Sequence, residues 1–329
     1  MKIPIALDAM GGDRAPEAMV EGAVLAVRQG TPVILIGDRA QLAPLVPTDV
    51  HLPIVHAPDE IGDHESAAKA VRSKPDASIN CAMSAVSDGR ASAVVSCGHT
   101  GAAMASALFG LGRTEGVERP AIATAVPRAD GGDLLLLDLG ANVDCKPSHL
   151  AQFALMGHAF ATTVMGVPRP RVALVSNGSE PSKGNQQVRA AAALIEELPV
   201  EFLGFMEPHD ALKGGCEVLV CDGFVGNVML KTVEATVTVV GQVLRTEITR
   251  RKSARFGAWL IQGALRRFRD QTDHASVGGG LLIGVDGVVV LGHGRSDSQA
   301  VCAAIHLANR CVEQGLTLRL QEALKESLA

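Results

Sequence analysis

The sequence contains no tyrosine and one tryptophan, and with eight phenylalanines its aromatic content is 3%. A chain so poor in rings lacks the interleaved stacking platforms that single-stranded nucleic acid requires. Positive charge is not in excess either: the net charge is -5 and the isoelectric point is near 6.1, so no whole-domain nucleic-acid footprint is expected. The seven cysteines (81, 97, 145, 216, 221, 302, 311) are odd in number and form no CxxC pair, which predicts reduced thiols in a cytoplasmic protein. No run approaches 18 consecutive apolar residues, so no transmembrane helix is expected, and the first residues carry no apolar signal core. Nucleotide and hydrolase fingerprints are missing as well. No GxGxxG follows a strand, and there is no GxxxxGK[ST], HExxH or GxSxG, which leaves nicotinamide, P-loop, zincin and nucleophile-elbow chemistry unsupported. The ten histidines show no ligand spacing, so neither a metal nor a cofactor is expected.

What is present is a large aliphatic reserve. Hydrophobic residues make up 47% of the chain, charged residues 20%, and glycine numbers 35. Short β-branched runs at 3–7, 33–36, 53–56, 93–96, 121–126, 134–139, 171–176, 201–205, 217–221 and 288–291 alternate with helical stretches at 16–28, 66–88, 102–111, 150–163 and 182–197. That alternation predicts an α/β fold: a mostly parallel sheet with helices on both faces, read as one unit over residues 1–329.

Strand after strand runs into a small or polar cluster. These are residues 8–13, 37–38, 96–101, 138–142, 176–178, 222–223 and 292–294. In an open parallel sheet ligands bind beyond the carboxyl ends of the strands, where glycine admits close approach and helix N-termini present free N–H groups to anions. Taken singly, each cluster also reads as an ordinary turn or cap; taken together on one side of one sheet, they predict an anion crevice.

A second feature stands apart. Residues 224–270 read as a mostly helical excursion. Between 250 and 270 it carries six arginines and one lysine against a single acid, Asp270. Phe256, Trp259 and Phe268 fall within this basic segment at approximate helical spacing. Such a stretch suits an interface: an acidic partner protein, anionic lipid, or a second subunit with a solvated basic edge.

Five runs in order now resemble a known family. They are residues 6–13 (Ala-Leu-Asp-Ala-Met-Gly-Gly-Asp), 95–102 (Val-Ser-Cys-Gly-His-Thr-Gly-Ala), 137–142 (Leu-Asp-Leu-Gly-Ala-Asn), 221–227 (Cys-Asp-Gly-Phe-Val-Gly-Asn) and 292–294 (Gly-His-Gly). Residues 72–74, 119–121, 177–180 with 183–184, and 278–279 add to the match. The chain resembles the phosphate acyltransferases of bacterial phospholipid synthesis over residues 3 to 305. The resemblance implies a fold similar to phosphate acetyltransferase and the isocitrate and isopropylmalate dehydrogenases. It also implies transfer of a fatty acyl group from acyl carrier protein to orthophosphate, with the acyl phosphate passing to a membrane glycerol-3-phosphate acyltransferase. A homodimer is implied too.

In that reaction phosphate attacks a thioester carbonyl, an oxyanion forms and a thiolate leaves. The nucleophile is already anionic, so positioning and electrostatic stabilisation should dominate. Lys183, His99, Asp222 and Asn227 are the candidate catalytic contacts. The candidates for phosphate or substrate binding are Gly11, Gly12, Asp13, Arg72, Lys74, Ser96, Gly98, Thr100, Gly101, Asn142, Asn177, Gly178 and His293. Asp8 and Asp144 are expected to orient backbone or cations. His99 stands where the resemblance implies asparagine. Cys97 is a poor candidate nucleophile, since phosphate itself attacks and no partner base is evident. Arg251, Lys252, Arg255, Trp259, Arg266 and Arg267 are the candidate carrier or membrane contacts. A related-fold dehydrogenase and a non-catalytic membrane scaffold remain competing readings.

Overall fold

A computed structural model describes residues 2–62, 64–265 and 279–328. Its eleven strands are β1 (Ile5–Asp8), β2 (Val33–Gly37), β3 (Ile54–His56), β4 (Ala93–Ser96), β5 (Ala121–Pro127), β6 (Asp133–Leu137), β7 (Arg171–Val175), β8 (Glu201–Met206), β9 (Val218–Val220), β10 (Gly280–Ile283) and β11 (Val289–Leu291). They form one sheet in the order β3-β2-β1-β4-β11-β10-β5-β6-β9-β7-β8. The helices are α1 (Glu17–Arg28), α2 (Arg39–Leu42), α3 (Ala67–Ser73), α4 (Ser78–Ser87), α5 (Thr100–Gly110), α6 (Pro147–Thr163), α7 (Gln186–Ile195), α8 (Pro208–Leu212), α9 (Gly223–Arg250), α10 (Lys252–Leu260), α11 (Ser298–Glu313) and α12 (Leu316–Leu328). Alternate strand residues feed two separate apolar layers. Leu7, Val95, Leu135 and Val218 join α1, α6 and α11 on one face, while Ala6, Val94, Leu136 and Leu219 join α4 and α5 on the other. Two buried faces explain the uninterrupted apolar strands.

Most pairings are parallel, as the alternation predicts. The three antiparallel ones, β11 with β10, β10 with β5, and β5 with β6, stand together in the middle. An odd number of reversals turns the sheet around. Strands β1, β4 and β11 therefore end at one edge, and β6, β9, β7 and β8 end at the other. This corrects the expectation of one shared side. Gly11, Gly12, Asp13, Ser96, Gly98, His99, Thr100, Gly101 and His293 follow strands ending at the first edge. Asn142, Asn177, Gly178, Lys183, Asp222 and Asn227 follow strands ending at the second. The reversal has a local cause: the link between β5 and β6 is too short for a crossover, which needs a dozen residues or more. The Arg128 N–H donates to the Gly132 carbonyl at 2.8 Å and closes a hairpin instead.

Two further expectations change. The helix predicted over 66–88 is broken into α3 and α4, because Pro75 drives Lys74 out of the helical region (φ -122, ψ 71). The Asn80 amide donates to the carbonyls of Val71 and Lys74 at the break. The glycine-flanked run 280–283, which carries no strand in the sequence reading, forms β10.

Helix α9 runs from the second edge across the apolar layer of the sheet. It starts at the end of β9, where Gly226 lies so close to the Asp138 backbone that any side chain would collide with the Asp138 carbonyl. Met229 and Leu230 then pack on the apolar layer of the sheet, and one turn further Lys231 and Glu234 come within electrostatic reach of His293. Beyond residue 234 the helix is largely exposed. It spans 28 residues, and its most apolar 18-residue window has mean hydropathy 1.2 with 11% of that window buried, so by length and composition it could cross a membrane. Its docked first turns and the Lys231–Glu234 ion pair (2.9 Å) instead describe an arm anchored on the sheet. Its threonines bond inward: the hydroxyls of Thr232, Thr236, Thr238, Thr246 and Thr249 each donate to the carbonyl four residues earlier at 2.8–2.9 Å.

Candidate active site

At the first edge the loops after β1, β4 and β11 line an open crevice of about 540 Å³. Asp8 is its foundation. This carboxylate is 3% exposed and accepts hydrogen bonds from the hydroxyls of Ser78 (2.6 Å) and Ser96 (2.7 Å). Burial pushes its carboxyl up, and the two serines pull against that shift. Ser96 in turn accepts the Gly98 N–H at 3.2 Å, so the serine predicted as a ligand sits beneath the loop and shapes it. Gly11 and Gly98 meet backbone to backbone. A Cβ on Gly11 would lie 2.7 Å from an Asp8 carboxylate oxygen and 2.9 Å from Gly98.

The β4 loop then opens into α5. The N–H groups of His99, Thr100 and Gly101 make no hydrogen bond to any described residue. Three such donors at the start of an eleven-residue helix are left available to an anion, and the helix dipole adds to their positive potential. His99 caps this helix: its Nδ1 accepts the Ala102 N–H at 3.0 Å. A backbone N–H only donates, so that nitrogen carries no proton, and Nε2–H is the donor left to the ring. Imidazole here does the work of an asparagine oxygen. His293 behaves alike, with Nδ1 accepting the Arg295 N–H at 3.3 Å. Desolvation, with Lys231 nearby, lowers the His293 pKa and favours the same neutral ring. Both histidines line the crevice. The cap predicts that His99→Ala costs roughly 1 kcal/mol of unfolding free energy, and that His99→Asn restores most of it. Urea unfolding of the two variants checks this.

At the second edge the organiser is Asp138, a residue outside the predicted set. It is fully buried and gathers five N–H donors: the backbones of Ile122, Gly140, Ala141 and Asn142, and the Asn142 side chain, at 2.6–3.2 Å. Burial raises its pKa and these bonds oppose the rise. Both amide hydrogens of Asn142 are committed, to Asp138 and to the Pro120 carbonyl, so this side chain has none left for phosphate. The Asn142 carbonyl accepts the Gly223 N–H at 2.7 Å, and Asp222 caps α9 by accepting the Val225 N–H at 2.8 Å. Asn227 lies beside Gly140.

The remaining candidates divide. Lys74 donates to the Glu60 carbonyl (2.9 Å) and to Glu65 (2.8 Å), so it braces the segment that walls the crevice. Arg72 lies 4.6 Å over the Phe109 ring. Lys183 packs its methylenes on Gly178, and its ammonium has no partner among the described residues. It follows β7 and is not brought to the first crevice, while Asn177 is occupied by the Gly184 N–H. Asp144 is exposed. Cys97 is fully buried, and burial pushes its thiol up to about 11, the wrong direction for a nucleophile. Arg251, just before α10, and Lys252, Arg255 and Trp259 on it are exposed, and the Phe256 and Trp259 rings stack at 5.9 Å. Arg266 and Arg267 lie outside the described residues.

Comparison with known proteins adds an independent line. Residues 3–319 match the family described as "Fatty acid synthesis protein". A protein named phosphate acyltransferase from Trichlorobacter lovleyi is 44% identical over 328 residues, covering 98% of this chain and 95% of that protein. One of the same name from Desulforudis audaxviator is 46% identical over 313 residues, covering 95% and 93%. Among solved structures, a phosphotransacetylase from Streptococcus pyogenes superposes with TM-score 0.64 at 16% identity, covering 95% of this chain and 94% of that one. A 4-hydroxythreonine-4-phosphate dehydrogenase from Klebsiella pneumoniae gives 0.55 at 14%, covering 94% and 100%. At these identities the structures speak for the fold.

Proposed function

The chain belongs to the phosphate acyltransferase family, and we propose that it moves a fatty acyl group from acyl carrier protein to orthophosphate. The observation that carries this reading is the trio of unpartnered N–H groups at the start of α5, set in a glycine-lined crevice with two imidazole N–H donors. Phosphate held there is positioned by dipoles instead of fixed cations, and stays nucleophilic. One of its oxygens attacks the thioester carbonyl carbon, the C–S bond breaks and the pantetheine thiolate leaves with the bonding electrons. The Nε2–H groups of His99 and His293 are placed to stabilise the oxyanion or the departing sulfur. No covalent enzyme intermediate is required, in keeping with the inert Cys97.

The exposed basic and aromatic face of α10 supports docking of the acidic carrier or contact with anionic lipid near the next enzyme. The exposed apolar side of α9 supports a homodimer. Such an enzyme would act in the cytoplasm, with peripheral access to the membrane. A scaffold would leave the crevice without a purpose.

The test is direct: purified protein, palmitoyl-acyl carrier protein and orthophosphate, with acyl phosphate trapped as hydroxamate and free carrier thiol counted. Formation of both only when phosphate is present is expected, and its absence overturns the proposal. Within that assay Gly11→Ala, which forces the β1 and β4 loops apart, should raise the KM for phosphate about tenfold. A KM unchanged in this variant would remove the crevice from phosphate binding.

A further inference from the structure

The crevice at the first edge offers an anion many N–H donors and no cationic side chain. Among the described residues that line it there is no lysine or arginine, yet there are two carboxylates, Asp13 on the loop after β1 and Glu60 on the segment after β3. The Asp13 carboxylate makes no hydrogen bond or ion pair with any described residue. Lys74 bonds the Glu60 carbonyl and leaves the Glu60 carboxylate alone. A bare carboxylate beside a bound anion repels it unless something between them supplies a proton.

Asp13 is the better fixed of the two. Its N–H donates to the Gly294 carbonyl at 2.8 Å, and a Cβ on Gly294 would lie 3.3 Å from its carboxylate. The preceding Gly12 is wedged between loops: a Cβ there would meet the Cys97 carbonyl at 3.2 Å and the Gly294 carbonyl at 3.3 Å. Asp13 therefore belongs to the wall built by the β1 and β11 loops. The unbonded N–H groups of His99, Thr100 and Gly101 belong to the wall built by the β4 loop. A tetrahedral oxyanion seated on those N–H groups turns at least one oxygen away from them, into the rest of the crevice. Against a carboxylate, an oxygen that carries a proton makes a charge-assisted hydrogen bond, and an oxygen without one meets only like charge.

Orthophosphate in neutral or mildly alkaline water keeps at least one proton. Sulfate has the same shape and keeps none. We infer that Asp13 makes the crevice selective for a protonated oxyanion, accepting the phosphate hydroxyl and turning sulfate away, an inference that rests on the phosphate binding proposed above. A lysine in its place would attract either ion. Discrimination here comes from the repulsive group as much as from the attractive ones.

The experiment is calorimetric titration of the whole protein with phosphate and with sulfate, at equal ionic strength in mildly alkaline buffer, where both are mainly dianions and differ by the proton. Wild type should bind phosphate at least about tenfold more tightly than sulfate. Asp13→Asn keeps the size of the side chain but can donate its amide N–H to either ion, so the ratio should fall towards one, chiefly by a gain in sulfate affinity. Glu60→Gln should keep the wild-type ratio. Equal affinities in wild type, no phosphate binding, or an unchanged ratio in Asp13→Asn overturns the inference, and so does a ratio that collapses in Glu60→Gln instead. Acyl transfer is read separately in the hydroxamate assay. A protein that selects phosphate over sulfate through Asp13 but forms no acyl phosphate would sink the proposed function and leave the selectivity standing.

Discussion

Replacing Asp138 by alanine is expected to cost about 3–5 kcal/mol of unfolding free energy and to remove acyl transfer activity. The carboxylate is the common acceptor for five N–H groups in a place without water. Deleting it strands several of them at once, and a buried unpaired donor costs far more than a lost surface bond. The damage spreads along connected atoms. Asn142 loses its anchor, its carbonyl no longer holds the Gly223 N–H, and the start of α9 loosens where that helix leads to His293. Asp138→Asn separates the effects. Its remaining oxygen can keep the bonds from Ile122, Gly140 and Ala141, but its amide faces the two Asn142 donors, so a smaller loss is expected. Urea unfolding with the hydroxamate assay reads both. An Asp138→Ala protein as stable as wild type would deny Asp138 its organising role.

The second large effect lies far from the chemistry. Glu217, 8% exposed, accepts hydrogen bonds from the side chains of Arg128 (2.8 Å) and Arg171 (2.7 and 3.0 Å). Burial works against its ionisation, but the two guanidinium groups outweigh burial and hold its carboxyl at about 2, below the ordinary 4.5. A carboxyl depressed in the folded state stabilises fully above its unfolded value and loses that contribution as pH falls. The window is therefore about 4.5 down to 2, and the contribution at neutral pH is about 3 kcal/mol. Glu217→Gln should lose about that much at pH 7 and show a flatter stability profile between pH 4.5 and 2 than wild type. Parallel profiles would show that the triad contributes little. The triad pins the starts of β7 and β9 to the β5–β6 hairpin, so its role is to hold the reversed half of the sheet in register.

Much of this was readable from residues. Apolar runs of four or five predicted strands buried on both faces, and the glycine and serine clusters after β1, β4 and β11 predicted a crevice where one exists. The reversed half was readable too, from the spacing of residues 127–133, but only if the short link outweighs the general expectation of crossovers. Pro75 likewise signalled the break between α3 and α4. Other roles depended on partners distant in sequence. Asp138 reads as one more strand-end turn residue until Ile122 is placed beside it. Lys74 reads as a phosphate ligand until Glu65 and Glu60 fold back onto it. His99 reads as a catalytic contact alone until the Ala102 N–H, bonded to its Nδ1, shows that it also caps α5.

The inward-bonded threonines of α9 have a thermodynamic consequence for whatever covers that helix. A threonine hydroxyl normally gives up a water when it is covered, which discourages association. Those at 232, 236, 238, 246 and 249 already spend their protons on the helix itself. Their methyl groups lie beside exposed Val239, Val240, Val243 and Leu244, so covering that part of the arm incurs little dehydration penalty for its hydroxyl protons. The helix is greasier to a partner than its composition declares, while each residue remains soluble enough to stand in water alone.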